Sequence, residues 1–515
     1  MPVKVQIAVS PEKVNDHEHH LNLISHKTQF SKKEINAIVI QKRSIDARKK
    51  QVKYNLIYDV YHLENYSEDQ FDPLYQKVDD SSKKIHIVGS GPAGLFAALT
   101  CLKLGFKPIV FERGKDVRSR RRDIALLSRE GVVDSESNYC YGEGGAGTFS
   151  DGKLYTRAKK RGDIIEVLKT LVYHGADNDI LVDAHPHIGT NKLPKIIQNI
   201  RELIVKYGGE IQFDHKVTDF KLKNNQLVEL QINNEKSILV NDVILASGHS
   251  SRDIFNLLLK KNLKIEFKPF AIGIRIEHQQ QLIDYIQYGA NVRSEFLPPA
   301  SYRLVHNDGS RSVYSFCMCP GGIIAPCSTE EGQIVTNGWS PSKRNNEYAN
   351  SGIVVEVKWS DLKAYHKYGP LAGIQFQKHI EKKCADKGGG FQKLPAQRLL
   401  DFINGKLSAD LPDSSYQPGV RSADLNEIFP DFISNTLKKG LMEFGNKMNG
   451  FLTNEALLHA AETRTSSPVR IPRNEQFEHP DVKGLYPCGE GAGYAGGIIS
   501  AALDGIRCVE AAALK

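Results

Sequence analysis

Between residues 84 and 112 the pattern of apolar positions changes period twice. Residues 85–88, Ile-His-Ile-Val, are a short, mostly apolar run, as in a buried parallel strand. Residues 95–104 carry apolar side chains at helical spacing and stop at Gly105, placed as a C-terminal cap. Residues 108–111 form a second apolar run that ends on Glu112. The pattern predicts strand, helix, strand. The turn between the first two is Gly89-Ser90-Gly91-Pro92-Ala93-Gly94, which fits G-x-G-x-x-G. In such a turn the first glycine allows the bend, the second admits a pyrophosphate to the backbone, and the third lets the helix pack on the strand. The helix N-terminus offers free N–H groups to phosphate. Glu112 is placed to accept both ribose hydroxyls of an adenosine and to repel a 2′-phosphate. The stretch predicts a dinucleotide site. NAD and FAD both use this turn, and Glu112 alone does not separate them.

The remaining pattern falls into three blocks. Residues 1–82 read as a small α+β unit, with strands at 3–9, 37–41 and 52–61, a helix within 11–25, and a linker at 79–84. Residues 83–263 hold the nucleotide unit, a helix running to Val205, strands at 210–213, 217–222 and 226–232, and a buried strand at 242–246 that closes on Ser247-Gly248. Thr190 is expected to cap that helix. From Lys264 the pattern changes to alternating segments at 271–276, 302–306, 313–318, 322–326, 334–337 and 353–357, the spacing of an antiparallel sheet. Helices are expected at 369–386 and 431–447. In the second, Phe432, Ile433, Leu437, Leu441 and Phe444 make one apolar, core-facing stripe.

Composition narrows the class. A chain of 515 residues is too long for one ordinary core, so several domains are expected. No apolar run approaches the length of a membrane span, and the N-terminus lacks a signal-peptide core. Eight scattered cysteines suit free thiols, with no disulfide partners, in a reducing cytoplasm. The net charge of +8 admits an anionic partner without requiring one. The basic run from Lys42 to Lys53 reads as a solvated hairpin, or alternatively as a phosphate or RNA contact. The cluster Arg118 to Arg122 reads as a solvated helix face, or alternatively, from its nearness to the nucleotide turn, as a phosphate contact.

Several stretches carry candidate chemistry. The sequence YGEGGAGTFSDGK, residues 141–153, is so rich in glycine that close approach of backbone to a ligand is the economical explanation. Within it Lys153 is placed to hold an anionic substrate or to offset charge on a reduced cofactor. His187, in His-Pro-His-Ile-Gly, is a candidate site residue or a structural histidine. Cys317-Met318-Cys319 is a C-x-C pair, read as packing or pocket lining, because in-register residues of one strand rarely make a good disulfide. Its spacing, without other clustered Cys or His, gives no metal site. Arg464 and Arg470 either clamp a carboxylate or phosphate or form structural ion pairs.

Near the other end, residues 484–502 repeat the theme: a short strand, Glu490 among glycines, and an apolar helix led by Gly496 and Gly497. The acid can accept hydroxyls of a polyol chain, and the helix N-terminus near Ile498 can stabilise negative charge. A nucleotide with a sugar-alcohol chain and an electron-accepting ring satisfies both, so FAD is the expected cofactor.

On GSGPAG with Glu112, GEGGAGTFSDGKL, PHIGT, LASGHSSRD, SFCMCPGG, TNGWS, ETRTSSPVR and YPCGEGAGYAGGIISAALDG, the chain resembles the glutathione-reductase-like flavoproteins with two dinucleotide-binding domains. More closely it is similar to the bacterial group called FAD-dependent or NAD(FAD)-utilising dehydrogenases. The resemblance implies FAD held by Gly89, Gly91, Gly94 and Glu112 at the adenosine end. It implies Gly489 and Glu490 at the ribityl chain, Gly496, Gly497 and Ile498 beside the ring, and Val217 at adenine. Pro92, Ala93, Arg113, Gly147, Thr148, Ser247 and Gly248 complete the candidate cofactor set, and Lys153, His187 and Arg464 the candidate substrate set. No acid or base is assigned.

The expectation is an α/β protein: a Rossmann-like FAD-binding domain split between residues 83–263 and 476–515, an inserted, mainly antiparallel β substrate or cap domain at 264–475, and the small N-terminal unit. The expected activity is a hydride exchange between FAD and a small-molecule substrate, with NAD(P)H, if used, binding transiently. The alternatives are a flavin-dependent enzyme that modifies RNA bound by the N-terminal unit, and a flavin-binding module without catalysis.

Overall fold

A computed structural model describes residues 1–49, 51–67, 70–156 and 162–514. At its centre is a parallel sheet of five strands in the order Leu485–Pro487, Val243–Leu245, Lys84–Val88, Lys107–Phe111, Glu210–Gln212. Its middle strands are apolar because both faces are covered; Ile85, Ile87, Val110 and Ile244 are fully buried. The helices Pro92–Lys103 and Ile498–Ala513 pack against each other on one face. Gly505 permits the close crossing, since a Cβ there would lie 2.1 Å from the Ala93 carbonyl oxygen. The two glycine-led helices from opposite ends of the chain are thus neighbours, with both N-termini on the same edge of the sheet.

The second block is a seven-stranded sheet in the order Val305–Asn307, Ser312–Cys319, Tyr348–Val357, Phe270–Gln279, Leu457–Glu462, Leu394–Arg398, Val420–Ser422. It is antiparallel except for its last pair, which is parallel. The helices Ala372–Gly388 and Asp431–Lys447 pack on it, and Ile433, Leu437, Leu441 and Phe444 are buried in its core. The chain enters this block at Glu266–Phe267 and leaves at Val469–Arg470, and these two short strands pair antiparallel.

The N-terminal unit is a three-stranded antiparallel sheet of Val3–Val9, Lys53–His62 and Ile35–Asp46, with the helix His17–Thr28 against it. The basic run forms the end of one strand and the turn after it; Lys50 lies outside the described residues. Its arginines have carboxylate partners: Arg43 meets Asp183 at 2.7 Å and Asp179 at 3.2 Å, and Arg48 meets Asp46 at 2.6 Å.

Three local expectations change. The helix expected to be capped by Thr190 begins at Leu193 with Lys192 as N-cap, because the Thr190 N–H is committed to the Ser340 carbonyl at 3.1 Å. The helix Val117–Glu130 does not present its whole basic cluster to solvent: Arg120 is fully buried. Strands 394–398 and 457–462 lie where the sequence shows no clear alternation; in Leu457–Glu462 all six residues are buried, His459 and Glu462 included, so no polar face marks the strand. Among the described residues no helix is long and apolar enough to cross a membrane.

Candidate cofactor cleft

The C-terminal ends of the parallel strands open into one cleft of about 390 Å³, within the size range of small-molecule and cofactor sites. By the order of the strands it runs from Glu112, Arg113 and Val217 at one side, past Gly89–Ala93 and Ser247–Gly248, to Gly489 and Glu490 at the other. Gly147, Lys153, Phe316, Cys317, Arg464 and Gly496–Ile498 line it as well.

The glycines of the first turn divide their work by geometry. Gly89 has φ +100°, and a Cβ there would lie 2.5 Å from the Ala246 carbonyl oxygen. A Cβ on Gly94 would lie 1.9 Å from the Gly89 carbonyl oxygen, so Gly94 serves helix packing and does not line the cleft. Gly91 is different. A Cβ there would have only the Gly145 Cα within 4 Å, at 3.9 Å, so the missing side chain leaves room on the cleft side. Gly496 and Gly497 likewise have nothing within 4 Å of an added Cβ, at the mouth of the helix Ile498–Ala513.

Glu112 lies where the sequence suggests, but its carboxylate is already used. One oxygen accepts the Ser90 N–H at 2.9 Å and hydroxyl at 2.8 Å; the other accepts the N–H groups of Gly114 at 3.0 Å and Gly142 at 2.9 Å. Four donors fill the lone pairs of a carboxylate. Besides lining the cleft, Glu112 therefore ties the phosphate turn to the glycine-rich segment. Arg120 holds that segment from the other side: its guanidinium donates to the carbonyls of Asn138 at 2.7 Å, Tyr139 at 2.9 Å and Glu143 at 2.7 Å. Thr148 belongs to this scaffold rather than the cleft wall, its hydroxyl donating to the Glu143 carbonyl at 2.7 Å. Arg113 lies over the Tyr141 ring and pairs with Glu136 and Asp253, at 2.7 and 2.9 Å.

Glu490 faces the cleft from the last strand. Burial pushes its carboxyl up to about 7, against the pull of Lys268. His249 comes to 4.0 Å. Lys153 sits on Asp151 at 3.1 Å and donates to the Cys319 sulfur at 3.6 Å. Burial lowers its affinity for a proton, but Asp151 and the two cysteines raise it further, so it stays protonated. Asp151 also holds Arg344 at 2.8 Å. His187 pairs through its backbone with Lys153, but its ring meets the Ser342 carbonyl at 3.1 Å and does not line the cleft. Arg464 reaches the wall with its donors engaged: Glu381 at 3.0 and 3.1 Å, Thr329 at 2.8 Å and Ser250 at 3.3 Å. Glu381, fully buried, also takes Arg252 at 2.9 Å. Burial raises its pKa, but Arg252 and Arg464 outweigh that and hold it near 2. This trio joins the inserted block to the helix Arg252–Lys260 beside the parallel sheet. Arg470 is exposed and stacks on Tyr494.

Arg252 and Glu381 escaped the sequence reading because a buried ion pair leaves no periodic signal, and Arg120, expected on a solvated face, instead donates to buried carbonyls. Among the described residues Cys488, Asp504 and Cys508 have metal-like spacing, but the Arg473 guanidinium occupies the cation's place, 2.7 and 3.0 Å from the Asp504 oxygens and 3.5 Å from the Cys508 sulfur.

The cleft fits FAD on its own chemistry. Gly91, Gly496 and Gly497 leave backbone open at two helix N-termini, which suit a pyrophosphate and an electron-rich ring. The Glu490 carboxylate suits hydroxyls. The Ser247 hydroxyl oxygen is buried without a partner on the cleft wall.

Over 507 aligned residues the chain is 41% identical to an uncharacterised protein of Clostridium beijerinckii, spanning 95% of this chain and 94% of that one. The chain belongs to the same family as that protein. Residues 269–465, most of the inserted block, match the family described as FAD-dependent protein, C-terminal domain-like. Residues 1–61 match a domain of unknown function, DUF8436. Among solved structures the chain is similar to CtdE in complex with FAD, at 11% identity over 84% of each chain and a TM-score of 0.32. It is also similar to a geranylgeranyl bacteriochlorophyll reductase-like protein of Thermoplasma acidophilum, at 13% identity over 84% of this chain and 79% of that one, TM-score 0.35. Overlays at these TM-scores fix neither reaction nor substrate.

Proposed function

We propose that this protein is an FAD-dependent oxidoreductase of the glutathione-reductase-like type, exchanging a hydride with a small-molecule substrate. The observation that carries the reading is the single cleft in which the Gly91 turn, Glu490 and the Gly497 helix start converge. When bound, FAD supplies a ring that takes up or gives two electrons. The chain's own groups do the rest. Gly91 and the N-terminus of Pro92–Lys103 receive the pyrophosphate, with Ala93, Ser247 and Gly248 alongside. Val217 and Arg113 flank the adenosine end, behind the Glu112 anchor. Glu490 accepts hydroxyls of the ribityl chain. The N-terminus of Ile498–Ala513 and the Lys153 ammonium place positive potential at the ring end, which favours the reduced, anionic form. Arg464 fixes the wall opposite and so shapes the substrate space. The described residues contain no second complete nucleotide unit, so NAD(P)H, if it is the donor, binds transiently.

The test is anaerobic mixing of FAD-loaded protein with NADH or NADPH, followed by an artificial acceptor. The reading expects the visible absorption band of the oxidised flavin to bleach and to return on adding acceptor. A flavin that neither donor reduces, and that passes no electrons on after chemical reduction, would overturn it in favour of a non-catalytic module.

A further inference from the structure

Lys153 lines the cleft on a segment with little stiffness of its own. The stretch from Tyr141 to Lys153 is dense in glycine, and its last residues belong to none of the sheets. What holds them is a pairing with residues 183–189, marked by an isolated bridge between Lys153 and His187. The Leu154 N–H donates to the Pro186 carbonyl at 2.9 Å, the Ile188 N–H to the Gly152 carbonyl at 3.1 Å, and the Gly189 N–H to the Asp151 carbonyl at 3.1 Å. The inserted block closes on the end of the same strip. The Thr190 N–H donates to the Ser340 carbonyl at 3.1 Å, and a Cβ on Gly189 would lie 2.2 Å from the Ser342 nitrogen.

The strip is in turn anchored by the N-terminal unit. Ile35–Asp46 is an edge strand of that unit's sheet. An open edge is a template for another strand, and here the chain itself takes it. Arg43 and Asp183 pair as a parallel bridge, and the Ala184 N–H donates to the Arg43 carbonyl at 2.9 Å. The Arg43 guanidinium then holds Asp183 at 2.7 Å and Asp179 at 3.2 Å. Among the described residues this is the one place where 183–189 pairs with a regular strand. The same unit also grips the inserted block. The Tyr54 hydroxyl donates to the Phe296 carbonyl at 2.8 Å, and Leu297 is buried in the unit's core with Val5 and Leu56. The N-terminal unit thus holds both blocks that form the cleft.

We infer that the N-terminal unit is a positioning device for the cleft, acting from Arg43 through residues 183–189 on the stretch from Asp151 to Leu154; what Lys153 then serves rests on the FAD reading above. Arg43 is a positioning residue, since it does not line the cleft. Its ion pairs are partly exposed and add little to global stability. They fix the point where an irregular strip joins a sheet. Once loosened there, residues 183–189 no longer hold the backbone on either side of Lys153, and the ammonium loses its set place against Asp151. The strand edge that could recruit a partner is already occupied, so the unit belongs to the frame of the cleft.

The first measurement needs no cofactor. The flavin-free, full-length chain is labelled with limiting acetic anhydride, and peptide mapping reads Lys153 against the exposed Lys32. In Arg43→Ala the labelling of Lys153 should rise roughly fivefold or more, with the melting midpoint close to that of the wild type. Asp183→Asn, which removes the charge at almost constant volume, should move it the same way, and Arg43→Lys should recover part of the protection. Unchanged labelling in Arg43→Ala, or a rise shared by lysines throughout the chain, overturns the proposal. The second measurement is the flavin reduction potential of the FAD-loaded chain. Lys153→Met and Arg43→Ala should both lower it, the second by less. A shift in Lys153→Met alone overturns the coupling. If neither variant shifts the potential while the labelling responds, the role of Lys153 in the FAD reading fails and the positioning device stands.

Discussion

The carboxylate of Glu112 accepts the backbone N–H of Gly142 at 2.9 Å. A strand end and a loop thirty residues away in sequence are thereby locked together, and the phosphate turn is locked to both through Ser90.

Glu112→Ala leaves the Ser90, Gly114 and Gly142 N–H groups without their acceptor. Each buried unsatisfied donor costs about 1–3 kcal/mol. Both stability and flavin retention should fall, the latter by roughly tenfold or more. Thermal unfolding and the ratio of flavin to protein absorbance check this; a variant with wild-type values in both would contradict the anchoring role.

Gly91 and Gly94, in the same turn, should behave oppositely, because their added Cβ atoms meet different surroundings.

 Gly91→Ala places its methyl in the open cleft, where the nearest atom is 3.9 Å away, so folding should be unchanged while FAD affinity drops. Gly94→Ala places its methyl 1.9 Å from the Gly89 carbonyl oxygen, so the fold itself should lose about 1–3 kcal/mol. Denaturant unfolding of the flavin-free variants, set beside FAD titrations, separates the two effects. Equal destabilisation of both variants would contradict the division of roles.

Glu490 predicts a pH dependence with a definite sign. Its carboxyl is raised from 4.5 to about 7 by burial, so the folded chain binds more protons than the unfolded chain between those values. Stability of the flavin-free protein should therefore fall as pH rises from about 4.5 to about 7 and level off above, by at most roughly 3 kcal/mol. Glu490→Gln should flatten that slope. Hydroxyls donating to the carboxylate favour its charged form, so FAD should bind more tightly as pH rises through the same window, and this gain should vanish in the variant. Melting curves and FAD titrations across pH 5–8 (a span bracketing about two units below and one above the shifted value) read both slopes; a pH-independent difference between wild type and variant would contradict the assignment.

What was legible in the sequence follows from what leaves a periodic trace. The strand–turn–helix at Lys84–Lys103 was readable because apolar runs and fixed glycine spacing mark it, and the helix Asp431–Lys447 because its stripe repeats at helical period. The strand Leu457–Glu462 was not, because it is buried on both faces and carries His459 and Glu462 inward. The cleft's lining was readable where glycine or a strand end announces it, as at Gly91, Ser247 and Gly497. The groups that hold the lining in place were less so: Arg464 stood out as a clamp or an ion-pair former, but its partner Glu381 did not, and Arg120 and Arg252 owe their roles to contacts with other segments. The same holds for Cys317, whose left-handed backbone interrupts an ordinary-looking strand.

The most direct test of the central claim is the flavin stoichiometry of the full-length chain. The protein is purified, saturated with FAD, freed of excess by gel filtration and denatured to release the cofactor for identification by mass. The account predicts one FAD per chain, and a marked loss of it in Gly91→Ala. A colourless protein that cannot be reconstituted with FAD would contradict it.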